Sequence, residues 1–408
     1  MAATFARHGF ETTLFDVQPE QLEKAKGNVD FVYGTLTNGG TRPAGGSSGT
    51  LNNYGRMANC SGATLNSISS GIANFNYLAN AGTLTNNGGW LDNNGTLYND
   101  GTLTNFLLST IRNYGTLTNK GDGTLGFPTG GTIINNWVLK NMSGATLNNP
   151  SILINAGSLD NDGTLVNKTG GTLNNTGTLN NTGTLELAAG SAYDFTGGTL
   201  NNNGTFILRR DFSFNGTTGG TVNLYAGGTL QNYAVLTNAA GNIQGNDGTL
   251  VNNSGGSFTN NGTFNNNGTL ELAAGSAYDF TGGTLNNNGT FILRRDFSFN
   301  GTTGGTVNLY AGGTLQNYAV LTNDFVLDNS GTLVNNAGGW LVNNSVGTLT
   351  NSGTLGNDGL LTNSGILNNN STLTNNGTLS NTSFLVNNGG GTLTNTGTLG
   401  NYSVLTNN

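Results

Sequence analysis

The chain has 408 residues, of which 68 are glycine and only 8% are charged. Its net charge of -7 comes from scattered acidic residues, so no basic stripe is available for a phosphate backbone and we expect no nucleic-acid partner. A single cysteine, Cys60, and a single histidine, His8, exclude an intrachain disulfide framework and leave few ligands for a transition metal. No apolar run reaches the roughly 18 to 20 residues of a membrane helix, so we expect no transmembrane segment; no export signal is visible either.

The first 33 residues differ in composition from the rest of the chain. Residues 2–25 read Ala-Ala-Thr-Phe-Ala-Arg-His-Gly-Phe-Glu-Thr-Thr-Leu-Phe-Asp-Val-Gln-Pro-Glu-Gln-Leu-Glu-Lys-Ala. They resemble the first helix, second strand and following helix of the nicotinamide-binding domain of 3-hydroxyacyl-CoA dehydrogenases, and the resemblance places Asp16 where that family holds the NAD ribose. The Gly-x-Gly-x-x-Gly turn that would bind the pyrophosphate is missing from the sequence. We therefore expect residues 1–33 to be a truncated fragment without a cofactor, either a short helix over about 19–26 or a mobile segment.

From Gly34 to Asn408 the sequence consists of hexads of the form Gly-Thr-Leu-x-Asn-x. Leucines recur every six residues, as at Leu349, Leu355 and Leu361. This spacing does not fit an α-helix, and glycine or asparagine at nearly every other position costs a helix about 0.5–1 kcal/mol each. Thr-Leu-x suits a strand of three or four residues with Thr and Leu on opposite faces, and Asn-x-Gly suits a bend. The pattern therefore predicts an all-β fold.

Short strands joined by regular bends predict a single elongated parallel β-solenoid over residues 34–408. We expect it to be right-handed and triangular with about three hexads per coil, although two hexads per coil also fit the spacing. One buried Leu contributes about 1.5–3 kcal/mol, whereas ordering six residues costs about 6–12 kcal/mol. Contacts between coils must supply the difference. We expect the asparagine at each bend to donate to one neighbouring coil and accept from the other.

Residues 347–357, Gly-Thr-Leu-Thr-Asn-Ser-Gly-Thr-Leu-Gly-Asn, show the repeat in its simplest form. Such runs resemble the passenger regions of filamentous haemagglutinin-like proteins and autotransporter adhesins, and the resemblance covers residues 34–408. It implies a β-solenoid that is secreted or attached to the surface of a bacterial cell. We expect a non-catalytic stalk, adhesin passenger or self-stacking fibre subunit, with a cell-surface or glycan partner or a second copy of itself.

A long internal duplication interrupts the simple hexads. Residues 183–238 are identical to residues 268–323. Each copy carries a paired basic cluster, for which a solvated edge with a local ion pair is the main interpretation. Contact with an acidic glycan or a partner is the alternative. The residues proposed for this contact are Arg209, Arg210, Arg294 and Arg295.

Two other sets of residues are candidates for binding or catalytic sites. Asp160 and Asp162 are the closest approach to a calcium or catalytic pair, but isolated acidic residues at solvated bends are more typical. The tryptophans are expected to fill wide corners of the core, with sugar stacking as the alternative. These tryptophans are Trp90, Trp137 and Trp340.

Thr-Leu-Thr triplets suggest an alternative function, since outward threonine pairs on a flat solenoid face are the known pattern of ice-binding β-helices. Thr348 and Thr350 are the pair predicted for such an array. The triplets alternate with other sequences, which weakens this hypothesis.

Residues 406–408 end the repeats without a polar cap, and we expect the open coil to stack end to end with another copy. The sequence predicts no catalytic, cofactor-binding or metal-binding residue.

Overall fold

The computed structural model describes residues 29–31, 35–39, 50–127, 130–214, 220–280, 282–299 and 306–408. Asp16 and the helix predicted over residues 19–26 lie outside these ranges, so the resemblance to a dehydrogenase fragment stays untested. Every described element is a strand or a connection between strands. None of the described residues belongs to a helix that is long and apolar enough to cross a membrane.

The chain forms two compact units. The first comprises residues 1–210 and 218–221, and the second comprises residues 211–217 and 222–408. In each unit, three successive strands form one coil with three faces. We call the faces A1, B1 and C1 in the first unit and A2, B2 and C2 in the second.

In the first unit, face A1 contains Val29–Phe31, Arg56–Asn59, Tyr77–Asn80, Thr96–Asn99, Thr116–Asn119, Val138–Asn141, Ser158–Asn161, Thr178–Asn181 and Thr199–Asn202. Face B1 contains Thr35–Gly39, Thr64–Ile68, Thr83–Asn87, Thr102–Asn105, Thr124–Gly126, Thr146–Asn149, Thr164–Asn167, Thr184–Leu187 and Thr205–Leu208. Face C1 contains Thr50–Asn53, Gly71–Asn74, Trp90–Asn93, Thr110–Asn113, Thr132–Asn135, Ile152–Asn155, Thr172–Asn175 and Ala192–Asp194.

In the second unit, face A2 contains Thr221–Leu224, Ile243–Asn246, Thr263–Asn266, Thr284–Asn287, Thr306–Leu309, Val326–Asn329, Thr348–Asn351, Ile366–Asn369, Phe384–Asn387 and Val404–Asn407. Face B2 contains Thr229–Asn232, Thr249–Asn252, Thr269–Leu272, Thr290–Leu293, Thr314–Asn317, Thr332–Asn335, Thr354–Asn357, Thr372–Asn375 and Thr392–Asn395. Face C2 contains Phe212–Phe214, Val235–Asn238, Ser257–Asn260, Ala277–Asp279, Phe297–Phe299, Val320–Asn323, Trp340–Asn343, Leu360–Asn363, Thr378–Asn381 and Thr398–Asn401.

The strand register confirms the β-solenoid with three hexads per coil. Thr354–Asn357 pairs in parallel with Thr372–Asn375, three strands later in the chain. The sheets of the other faces follow the same rule, which excludes two hexads per coil. Strand pairing also begins before Gly34, because Val29–Phe31 pairs in parallel with Arg56–Asn59. Bends absorb the additional residues of the longer coils, as at Gly338, where φ is +85°.

The interior of each unit consists of alternating leucine and asparagine. In the strand Thr372–Asn375 the Leu and Asn side chains are buried, whereas the two Thr side chains point outward. We predicted that asparagine would turn the corner, and this is wrong: Asn375 is the last residue of the strand, two positions after Leu373. Residues i and i+2 of a strand share a face, so both side chains point into the coil.

The predicted ladder of side-chain amides is confirmed inside the coil rather than outside it. Asn343 Nδ2 donates to Asn363 Oδ1 at 2.7 Å, and Asn363 Nδ2 donates to Asn381 Oδ1 at 2.7 Å. The second hydrogen of Asn363 Nδ2 is donated to the backbone oxygen of Phe384, at 2.8 Å. These asparagines are fully buried, yet each donor and acceptor of Asn363 has a partner. We call such a row an asparagine ladder.

Candidate functional site

The second copy of the Arg-Arg-Asp cluster lies at a bend after the strand Thr290–Leu293. Arg294 Nε is 2.8 Å from Glu271 Oε1, and the Arg294 guanidinium lies 4.8 Å from the centre of the Tyr318 ring. The neighbouring Arg295 guanidinium lies 4.9 Å from the Tyr278 ring. Asp296 accepts a hydrogen bond from the backbone N–H of Val320. The cluster therefore already has partners on its own surface.

The first copy shows the same arrangement around Arg209 and Arg210. Arg209 Nε is 2.9 Å from Glu186 Oε1. The Arg210 guanidinium lies 4.8 Å from the Tyr193 ring and donates to the backbone oxygen of Ser191. Two identical sequences thus fold their paired arginines onto the same types of partner. This favours a local role for the arginines, and their contact with a ligand stays a prediction.

An aromatic cluster interrupts face C2 beside Arg295. The sheet on this face has two parts, one ending at Ala277–Asp279 and the other beginning at Phe297–Phe299. Across the interruption, the Tyr278 and Phe297 rings stack with their centres 4.5 Å apart, and Tyr278 Oη accepts a hydrogen bond from Ser298 N. Aromatic packing takes the place of strand pairing here, a feature that the sequence analysis missed.

Thr348 and Thr350 have no threonine beside them in the adjacent strands of their face. On face A2, Thr348 lies between Val326 and Ile366. Thr350 has neighbours of other types as well, Asp328 and Asn368.

Face B1 and face B2 each carry a column of threonine at the first position of every strand. The other outward column on these faces is irregular, because Thr104 is followed by Gly126 and Asn148. The threonine columns could not be predicted from the sequence, because only the register assigns strands to faces. In face B2 the column contains Thr229, Thr249, Thr269, Thr290, Thr314, Thr332, Thr354, Thr372 and Thr392.

The tryptophans lie outside the core, so the prediction that they fill its corners is wrong. Trp137 is 63% exposed in a bend, and Trp340 is 42% exposed. Trp90 and Trp340 occupy the first position of their strands, which points outward because only the second and fourth positions face the interior. All three indoles are therefore accessible to a ligand.

Asp160 and Asp162 do not converge on a common point. Asp160 points outward from the strand Ser158–Asn161 and accepts from Asn180 Nδ2 at 2.8 Å. Asp162 lies beyond the end of this strand and accepts a hydrogen bond from the Thr182 hydroxyl. Within the described part of the chain, no three His, Cys, Asp or Glu residues are grouped so that they could hold a metal ion.

Contacts at the surface shift the pKa of two side chains, Asp194 and Lys120. The Thr196 hydroxyl and backbone N–H donate to Asp194 and lower the pKa of its carboxyl group. The hydrogen bond and charge of Asp100 raise the pKa of Lys120. Both pairs are exposed, so they contribute little to stability.

No family model matches the chain, and no curated protein matches it. Among solved structures, the crystal structure of a TibC-catalyzed hyper-glycosylated TibA55-350 fragment aligns with 91% of this chain and 99% of that chain. The identity is 15% and the TM-score is 0.24.

Proposed function

We propose that this chain is a non-catalytic structural protein, a stalk or adhesin passenger displayed outside the cell or at its surface. The observation that supports the proposal is the repeated interior. Leucine and asparagine columns continue from coil to coil, while most outward positions, apart from the threonine columns of faces B1 and B2, change from one coil to the next. The number of coils and the outward side chains can therefore vary independently, which suits a protein that holds binding residues away from a surface. The resemblance of residues 34–408 to adhesin passengers agrees with this role.

The duplicated segment supports variable length most directly. The strand Thr164–Asn167 precedes Thr184–Leu187 in face B1, and Thr249–Asn252 precedes Thr269–Leu272 in face B2. Both pairs have the same sequence, Thr-Leu-Val-Asn followed by Thr-Leu-Glu-Leu. Removal of residues 183–267 would thus give Thr164–Asn167 a neighbour with the same sequence as its present one.

We expect cells that produce the chain without residues 183–267 to display it as well as the intact chain. Antibodies against residues 330–408 should label intact cells of both strains, because both proteins fold and neither needs a particular site in the excised segment. An antibody against a cytoplasmic protein, before and after permeabilisation, provides the control. Labelling of the intact chain only after permeabilisation would contradict surface display. Loss of surface labelling only for the chain that lacks residues 183–267 would contradict variable length.

The threonine columns of faces B1 and B2 support a second candidate, a solenoid that binds a regular surface such as ice. We nevertheless expect no thermal hysteresis from the purified chain, because only one outward column is regular. A Thr332→Tyr/Thr354→Tyr variant serves as the matched control for any effect. Hysteresis that disappears in this variant would favour the ice-binding function over the plain stalk.

A further inference from the structure

Trp90 lies in a position that glycine on the preceding coil makes possible. It is paired with Gly71 in face C1, and a Cβ atom on Gly71 would come within 2.2 Å of Trp90 Cε2. The indole therefore packs directly over the backbone of Gly71. A side chain at that position would displace the ring. One face of the half-buried indole packs on the backbone of the preceding coil, and the rest of the ring is accessible.

A paired donor and acceptor lie next to this ring. Arg112 and Asp92 are adjacent in the register of face C1. Arg112 Nε is 2.5 Å from Asp92 Oδ1, and Arg112 Nη2 is 2.9 Å from Asp92 Oδ2, so the two planar groups form a bidentate pair. The Arg112 guanidinium carbon lies 5.7 Å from the centre of the Trp90 ring. Each charge is neutralised locally, and the remaining N–H groups and carboxylate lone pairs can still bind hydroxyl groups.

The ring and Arg112 line an open groove of about 470 Å³, while Asp92 holds the Arg112 guanidinium from beside it. Leu108 also lines the groove; it is 83% exposed and has a φ of +63°. A left-handed backbone is unusual for a bulky residue, and such conformations cluster at functional sites. The volume lies within the range of about 300–1,000 Å³ that is typical of small-molecule sites. The principal lining residues are Gly89, Trp90, Leu108, Thr110, Arg112 and Ile134.

We propose that this groove binds a neutral pyranose ring of a glycan. The apolar C–H face of a sugar would stack on Trp90, as amphipathic aromatic rings allow. Its hydroxyl groups would accept hydrogen bonds from the remaining N–H groups of Arg112, whose guanidinium Asp92 holds in place. An acidic sugar is disfavoured because Asp92 already compensates the charge of Arg112. The site is independent of the proposed stalk function, since either could be correct without the other.

Titration of the full chain with methyl pyranosides tests the proposal. We use methyl glucoside, galactoside and mannoside as probes, with sodium glucuronate as the anionic probe. In a Trp137→Phe/Trp340→Phe background, where Trp90 is the single tryptophan, at least one neutral glycoside should change the indole fluorescence. Binding should be near millimolar, about -4 kcal/mol, as expected for a single ring.

Variants at the groove separate this site from other surfaces. Trp90→Ala should weaken glycoside binding at least tenfold when followed by ligand-observed NMR, whereas Trp340→Ala should not change it. Arg112→Lys keeps the charge but loses the bidentate pair, and it should weaken binding as well. Circular dichroism melting checks that each variant is folded. The proposal is overturned if no neutral glycoside binds, if glucuronate alone binds, or if folded Trp90→Ala binds as tightly as the unchanged chain.

Discussion

The Asn369→Ala variant should lose about 3 kcal/mol or more of unfolding free energy. Asn369 Nδ2 donates to Asn387 Oδ1 at 2.7 Å and to the backbone oxygen of Thr392 at 2.9 Å, and Asn351 Nδ2 donates to Asn369 Oδ1. Alanine would leave Asn387 Oδ1 and one hydrogen of the buried Asn351 Nδ2 without a partner, and each such loss costs about 1–3 kcal/mol. Asn351 Nδ2 keeps its other hydrogen bond, to the backbone oxygen of Thr372, and the Thr392 oxygen is partly exposed. Urea denaturation followed by circular dichroism measures the change.

The neighbouring residue provides a matched control. Asn368 belongs to the same strand, Ile366–Asn369, but points outward. Asn368→Ala should therefore change the stability by no more than about 0.5 kcal/mol. Equal effects at the two positions would show that the buried ladder contributes nothing beyond the β-propensity of asparagine. The same outcome would remove the main reason for describing the interior as a specific polar network.

The second large effect is expected at Gly377, in the bend before the strand Thr378–Asn381. A Cβ atom there would lie 2.1 Å from the backbone oxygen of Gly359 on the preceding coil. Backbone cannot move aside as a flexible side chain can, so the coils would have to separate locally. Gly377→Ala should cost about 1–3 kcal/mol, as overpacking of a dense interior does. Thermal unfolding of the purified variant measures this change.

Gly356 is the corresponding control, because it lies within the strand Thr354–Asn357 and points outward. A Cβ atom on Gly356 would have no neighbouring atom within 4 Å. Gly356→Ala should leave the stability unchanged or raise it by about 0.4–1 kcal/mol, since alanine restricts the unfolded chain. A loss at Gly356 as large as that at Gly377 would mean that close approach of coils is not the cause.

The leucine spacing was sufficient to predict the fold class. A period of six with one apolar residue per hexad requires short strands and frequent bends, and Leu355, Leu361 and Leu367 are all fully buried in the structure. The burial of Asn357 could also have been predicted, since it follows Leu355 by two positions in a strand. Its polarity led us to place it in the bend, although a buried amide is stable when all its hydrogen bonds are made.

The surface could be predicted less well, because it depends on the register between coils. The sequence does not show that Thr332 is paired with Thr354, since those residues are 22 positions apart and coil lengths vary. The interruption at Tyr278 and the groove at Trp90 likewise require distant segments to be aligned. Trp90 was assigned to a wide corner of the core beside inserted glycines, whereas its position as the first residue of a strand decides that it points outward.

The asparagine ladders run in one direction, which makes their two ends unequal. Where leucine follows the last asparagine, as Leu187 follows Asn167, the amide still donates to the backbone oxygen of Ala192 at 2.6 Å. Asn246, which follows Leu224, has an amide oxygen without a hydrogen-bond partner among the described residues. In the described part of the chain, the amide oxygen of Asn317, which follows Leu293, accepts only from a backbone N–H of its own coil, that of Ala319. The last asparagine of a ladder therefore keeps its hydrogen bonds more readily than the first asparagine does. Lineages of such proteins should lengthen by copying whole segments that already contain intact rows, rather than by converting single leucines into asparagines.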